Sequence, residues 1–211
     1  MTRLRIKLCG FTREEDVEAL AGVDVDAAGF VLWHGSPRAV TMTRAMDLAR
    51  RLPTGVTPVG VMVRPTVGEA GMAVAVVGVG ELQLHGVDDP TPFFALGVPI
   101  VWVAPLLDGV APVAPVAPPG TLLMVDAHDP ERHGGTGRAV NWAQAAALAR
   151  SARLVLAGGL TPENVHRAVS LVRPYGIDVS SGIEVSPGVK SADRIQRFVA
   201  AARLPIPETV S

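Results

Sequence analysis

Cysteine is almost absent from this 211-residue chain, with Cys9 as its only representative. No intramolecular disulfide can form, so the fold must rest on burial. Charge is also scarce: Lys, Arg, Asp and Glu make up 18% of residues, and 19 basic against 20 acidic side chains leave a formal net charge of -1. With no field of one sign and no Lys/Arg cluster interleaved with aromatics, the composition speaks against nucleic-acid binding and against an anionic membrane surface. No run approaches the roughly 18 consecutive apolar residues of a membrane helix. The most apolar stretch, AVAVVGVGELQLHG at 73–86, is broken by glycines and by Glu81. The N-terminal MTRLRIKLCG lacks the apolar core and small-residue cleavage site of a secretory signal, which makes the cytoplasm the expected location. A P-loop is missing too, and GVGELQ at 78–83 has neither the ending nor the context of a dinucleotide-binding turn.

What is there is apolar and regular. At 48% hydrophobic residues the chain suits one sizeable domain with a filled core. Short runs rich in Val, Ile and Leu predict strands at 4–9, 27–33, 58–63, 80–84, 99–104, 121–126, 153–157 and 176–180. Helical periodicity falls between them, at 12–22 with Thr12 and Glu15 spaced as a capping box, and at 43–52, 65–77 and 88–96. It resumes at 141–151 capped by Asn141, at 161–172 with Thr161 as N-cap and Pro162 at the first helical position, and at 191–202. Alternating strand and helix implies parallel pairing with right-handed crossovers. Eight short, regular units favour a closed (β/α)8 TIM barrel over an open doubly wound sheet, in a chain lean beside the usual size of about 250 residues. The expected organisation is a single barrel over 1–203 with a tail at 204–211. Five prolines between Pro105 and Pro119 forbid a continuous helix after the fifth strand, and a Pro-rich connector is expected in its place.

In such a barrel the active site lies at the C-terminal ends of the strands. Cys9 ends the first strand, Arg38 follows the second, His85 ends the fourth and Asp126 ends the sixth, while AGGLTPENV and SSGIE follow the seventh and eighth. Singly each has an ordinary explanation: a buried thiol as core filler, a satisfied histidine, a capping aspartate, turn glycines. Their coincidence on one rim points to a site. Bare amides at Gly158, Gly159, Ser181 and Gly182 can converge on an oxyanion, which predicts a phosphate monoester held mainly by backbone N–H groups rather than by basic side chains. The long segment DAHDPERHGGTGRAVNW reads either as a lid given its flexibility by Gly134, Gly135 and Gly137 or, equally, as an ordinary long surface loop. His128 and His133 in it have no cysteine nearby, so a metal is not expected.

The motifs KLCGFT, GFVLWHGSPRAVT, ELQLHG, VDAHDPERHGGTGRAVNW, LAGGLTPENV and GIDVSSGIEVSPGVKS together resemble the phosphoribosylanthranilate isomerases of tryptophan biosynthesis, over residues 7–191. The resemblance implies a cofactor-free Amadori rearrangement of a small phosphosugar by a monomer or homodimer. It implies Cys9 as general base, Asp126 as general acid, and Arg38 facing the anthranilate part of the substrate. Two alternatives stay open: a dual-substrate aminoaldose isomerase that also serves histidine biosynthesis, and a non-catalytic phosphosugar-binding barrel. The related histidine-pathway family is expected to carry aspartate at the first-strand position, where this chain has Cys9. A thiolate base needs a lowered pKa. Lys7 shares a strand face with Cys9, and closure of the barrel would set it beside Asp178, so an interior Lys7–Asp178 pair is expected beneath the site. Asp126 must be protonated to act as acid, which requires an enclosed setting.

Overall fold

The eight apolar runs are rich in Val, Ile and Leu at successive positions, the pattern of strands buried on both faces. In the computed structural model they close into a parallel barrel ordered β1 to β8. The structure describes residues 3–106, 117–127 and 142–206. The barrel consists of β1 (Arg5–Cys9), β2 (Ala27–Val31), β3 (Thr57–Val63), β4 (Glu81–His85), β5 (Ile100–Leu106), β6 (Leu122–Ala127), β7 (Leu154–Leu156) and β8 (Gly176–Val179). Closure comes from the pairing of β8 with β1, in a register that sets Lys7 opposite Asp178 and Leu8 opposite Val179.

Successive side chains alternate between two environments. Ile6, Leu8, Ala28, Phe30, Leu82, Leu84, Leu123 and Leu156 belong to the main core shared with the helices. Two separate apolar clusters take the opposite parity: Cys9, Ala27, Val31, Val59 and Val61, and on the other side Val101, Val103, Leu122, Met124, Val155 and Ala157. Buried polar residues of β1, β4 and β8, namely Lys7, Glu81, Gln83, His85 and Asp178, share that interior. At the end of the strands away from the site, Arg5 Nη2 donates to both carboxylate oxygens of Glu81 at 3.0 Å.

The helices follow local chemistry. α2 (Met42–Ala49) starts at Thr41, whose side chain accepts from Arg44 N. α3 (Val67–Met72) carries a full capping box of Thr66 and Glu69, and it runs on as a π-helical turn over Ala73–Val77, so the 65–77 helix changes winding midway. α4 (Trp142–Ala149), α5 (Val165–Val172) and α6 (Ala192–Ala202) complete the outer layer, α6 being capped by Ser191. Three expected features differ. α1 is only Glu14–Glu18 with no side-chain cap, because Thr12 Oγ1 instead donates to Gly188 O at 2.6 Å. The 88–96 helix is a 3-10 segment over Thr91–Leu96, with Pro90 as its N-cap, Pro92 in its first turn and Gly97 ending it in the left-handed conformation. Before α5, Thr161 is not the cap; Asn164 Oδ1 accepts from Thr161 N at 2.8 Å, and three turn residues precede the helix. An unexpected short hairpin, β9 (Glu184–Ser186) with β10 (Val189–Lys190), follows β8. The expected helix cap at Asn141, most of the 105–119 connector and the tail beyond residue 206 lie outside the described residues.

Candidate active site

Cys9 is the last residue of β1 and is 7% exposed. Beneath it, Lys7 is completely buried and its Nζ donates to Asp178 Oδ1 at 2.9 Å. Burial works against the Lys7 ammonium, but the Asp178 carboxylate and then Cys9 outweigh it and hold its pKa above the ordinary value. For Cys9 the balance is reversed. Burial pushes the thiol up, and Lys7 and Lys190 recover only part of the shift, with Asp178 opposing them. The expectation that Lys7 lowers the thiol is thus half met: its charge acts in that direction, but desolvation is larger.

Across the β1 rim lies Arg38. Gly10 turns with φ +84°, and a Cβ there would sit 2.6 Å from Arg38 Cδ, so the glycine is what lets the arginine lie over the strand end. The Arg38 fork is not free. Its Nε donates to Glu184 Oε1 at 2.9 Å and its Nη2 to Oε2 at 2.6 Å. Glu184 also accepts from Gly188 N at 3.2 Å and from Lys190 Nζ at 2.7 Å. Despite its burial, the bonds from Arg38 and the charge of Lys190 hold the Glu184 carboxyl below its usual range.

A cleft of about 390 Å³ opens between the ends of β7 and β8, lined by Gly159, Thr161, Ser181 and Gly182 among others. Gly158 and Gly159 have φ of +86° and +63°. At Gly182 an added Cβ would fall 1.9 Å from Leu160 O, a backbone atom that cannot swing aside. Gly182→Ala is therefore expected to force the two loops apart, destabilising the protein by about 1–3 kcal/mol and raising KM more than it lowers kcat. A thermal melt and steady-state kinetics check both parts; an unchanged melt with unchanged KM would remove the cleft from the site. Beside the amides expected to be the main holders of a phosphate, Arg194 and Arg197 also line the cleft. Arg197 is paired with Glu163 at 2.6 Å, and Arg194 Nη1 donates to Glu184 O.

The structure thus gathers Lys7, Cys9, Arg38 and Asp178 into one cluster, adds Glu184 and Lys190 to it, and places Gly159, Ser181 and Gly182 in the neighbouring cleft. His85 ends β4, with its Nε2 2.9 Å from Gln83 Nε2. Asp126 stands in β6 opposite Pro105 of β5, two residues beyond the buried Met124. Its side chain, and the expected lid glycines Gly134, Gly135 and Gly137, lie outside the described residues. Among the described residues no cluster of three or more His, Cys, Asp and Glu could hold a metal ion, and no helix is long and apolar enough to cross a membrane.

A single closed parallel barrel, with a cluster of ionisable side chains at the C-terminal ends of its strands and an open cleft after β7 and β8, defines the class, a (β/α)8 barrel with the rim arrangement of an enzyme. The sequence profile of N-(5'phosphoribosyl)anthranilate (PRA) isomerase matches residues 6–201, and the chain belongs to that family. The N-(5'-phosphoribosyl)anthranilate isomerase of Methylibium petroleiphilum is 41% identical over 203 residues, covering 95% of this chain and 94% of the relative. A phosphoribosyl anthranilate isomerase solved in complex with reduced 1-(o-carboxyphenylamino)-1-deoxyribulose 5-phosphate superposes with a TM-score of 0.79 at 28% identity, covering 95% of this chain and 99% of that one. Monomers generated from the dimeric isomerase of Thermotoga maritima superpose with a TM-score of 0.80 at 26% identity, with coverage of 95% and 99%.

Proposed function

We propose that the chain converts N-(5'-phosphoribosyl)anthranilate into 1-(2-carboxyphenylamino)-1-deoxyribulose 5-phosphate, the isomerisation for which its family is named, as a step of tryptophan biosynthesis. The observation that carries the assignment of the base is the chain's one thiol, set at the barrel rim between two lysine ammonium groups and beside Arg38. The phosphate end of the substrate belongs in the cleft of Gly159, Ser181 and Gly182, with Gly158 shaping its approach. The anthranilate carboxylate belongs near Arg38, and His85 is assigned to the substrate-facing wall.

The reaction needs only proton transfers. Asp126, assigned as the general acid, gives a proton to the ring oxygen as the furanose opens, leaving an iminium between C1' and the anthranilate nitrogen. That cation acidifies the C2' hydrogen. It also adds a positive charge near Cys9, which favours thiolate where burial alone disfavours it. The thiolate takes the C2' proton to give an enolamine, and protonation at C1' with loss of the C2' hydroxyl proton gives the ketone. The glycines 134, 135 and 137 are assigned to a lid that excludes water during these steps. The solution state is assigned as monomer or homodimer.

Mixing the purified protein with freshly generated phosphoribosylanthranilate should change the anthranilate-ring fluorescence at a rate proportional to enzyme, and a chelator should not alter that rate. No change with enzyme would overturn the isomerase reading in favour of a phosphosugar-binding barrel.

A further inference from the structure

Lys190 takes no part in the proton transfers above, yet its ammonium is entirely buried. Burying a charged amine is costly unless every proton is matched. Its three N–H bonds have three acceptors: Glu184 Oε1 at 2.7 Å, Cys9 O at 2.5 Å and Ser180 O at 3.4 Å. The Phe11 ring lies 5.5 Å below. These partners are not neighbours of one another in sequence. Cys9 ends β1 and carries the reactive thiol; Ser180 precedes the amides that line the cleft; Glu184 holds the Arg38 fork. The Lys190 backbone is anchored as well, its N–H donating at 3.0 Å to Asp16 Oδ2, a carboxylate that Arg13 grips through Nε and Nη2. One amine therefore ties together the three parts of the site, from a hairpin strapped to α1.

We propose that Lys190 is a positioning residue for the isomerase reaction, fixing the Cys9 strand end, the phosphate loop and the Arg38–Glu184 pair in one arrangement and keeping a positive charge beside the thiol. Its catalytic consequence rests on the isomerase reading; its electrostatic consequence does not. The described charged groups facing Cys9 are Lys7 from β1, Asp178 from β8, Lys190 from β10 and Arg38 from the loop after β2. Those facing Lys190 are Glu184, Cys9 and Arg38; burial pulls its pKa below the ordinary value, and Glu184 and Cys9 act to hold the proton on. Removing the Lys190 charge leaves Asp178 and burial less opposed, so the thiol must move further up.

Because Cys9 is the only cysteine, its titration can be read in the substrate-free protein as ultraviolet thiolate absorbance, taken as the difference from Cys9→Ser. Lys190→Met should raise the thiol midpoint by about one pH unit and lower kcat at least tenfold, with a smaller change in KM. Should the lone Glu184 carboxylate prevent that variant from folding, Lys190→Met/Glu184→Gln removes both charges and keeps the volume. It should still shift the midpoint upward, by less than the single variant, because the negative charge of Glu184 is lost together with the positive one. A purely structural lysine predicts a lower melting temperature with an unmoved thiol midpoint, and that result in either folded variant would overturn the proposal. If wild type fails to act on phosphoribosylanthranilate while the midpoint still moves, the isomerase reading fails and the electrostatic role stands.

Discussion

Cys9→Ala is expected to lower turnover of phosphoribosylanthranilate by about 10²- to 10⁴-fold, the range over which one positioned acid or base contributes, while leaving ligand binding within a few fold. The separation follows from geometry. The thiol's electrostatic partners are Lys7, Asp178 and Lys190, whereas the cleft is built from the β7 and β8 loops, so deleting the sulfur removes the proposed base and leaves the proposed phosphate cleft untouched. Alanine fits the site, its neighbours being Ala27, Val31, Val59 and Val61, and it introduces no polar group to be satisfied. Titration of the variant with reduced 1-(o-carboxyphenylamino)-1-deoxyribulose 5-phosphate reports binding, and the fluorescence assay reports turnover. Full turnover by the alanine variant would remove Cys9 as the base.

Lys7→Met is expected to be the most destabilising single change at the site, by about 3–5 kcal/mol, because it strands the Asp178 carboxylate inside the barrel. Methionine nearly matches the lysine stem, so lost volume contributes little. The double variant Lys7→Met/Asp178→Asn should recover much of the loss, since no uncompensated charge remains. The pH dependence has a definite sign. Lys7 is held above its ordinary value of 10.5 in the folded state, so its contribution is fully present below pH 10.5 and fades as pH rises through the higher folded value. Denaturant unfolding across that alkaline range should show the decline in wild type and a flatter profile in the double variant. Equal stability of Lys7→Met and wild type would mean that the pair is not desolvated as the structure has it.

The barrel was legible because its signals are local and repeated. Each Val/Ile/Leu run is long enough for a strand and too short for a helix, and the eight match β1 to β8 to within two residues at either end. Strand parity and closure were enough to set Lys7 against Asp178, since register follows once β8 is known to pair with β1. The capping of α1 was misread because the Thr12 hydroxyl has a tertiary acceptor, Gly188, 176 residues away, which no local spacing announces. Glu184, Lys190, Arg194 and Arg197 are not marked as site residues by the sequence, for a related reason. Each reads as an ordinary surface charge near a turn or on a helix, and only the β9–β10 hairpin and the start of α6 bring them to the rim. The signal available was six-residue spacing of an acid and a base around the SPG turn, in a segment already marked by SSG. The net rise of the Cys9 pKa was illegible because desolvation depends on packing from all sides, whereas the lysine two residues away is visible in the chain.

The seam that closes the barrel is also where the site's charges meet. Lys7 finds its counter-ion 171 residues downstream, and the Cys9 carbonyl meets Lys190 across a separation of 181 residues. A nascent chain that has not yet released β8 and the hairpin carries the thiol, Lys7 and Arg38 but neither Asp178 nor Lys190, and its interior lysine has no carboxylate to face. Contacts of such long span form late and slow folding. The arrangement of the site is in this way tied to completion of the chain: a ribosome-stalled or proteolytically clipped fragment lacking the last strand keeps Cys9 and Lys7 but lacks the seam that fixes them, and the site is assembled only when the ends have joined.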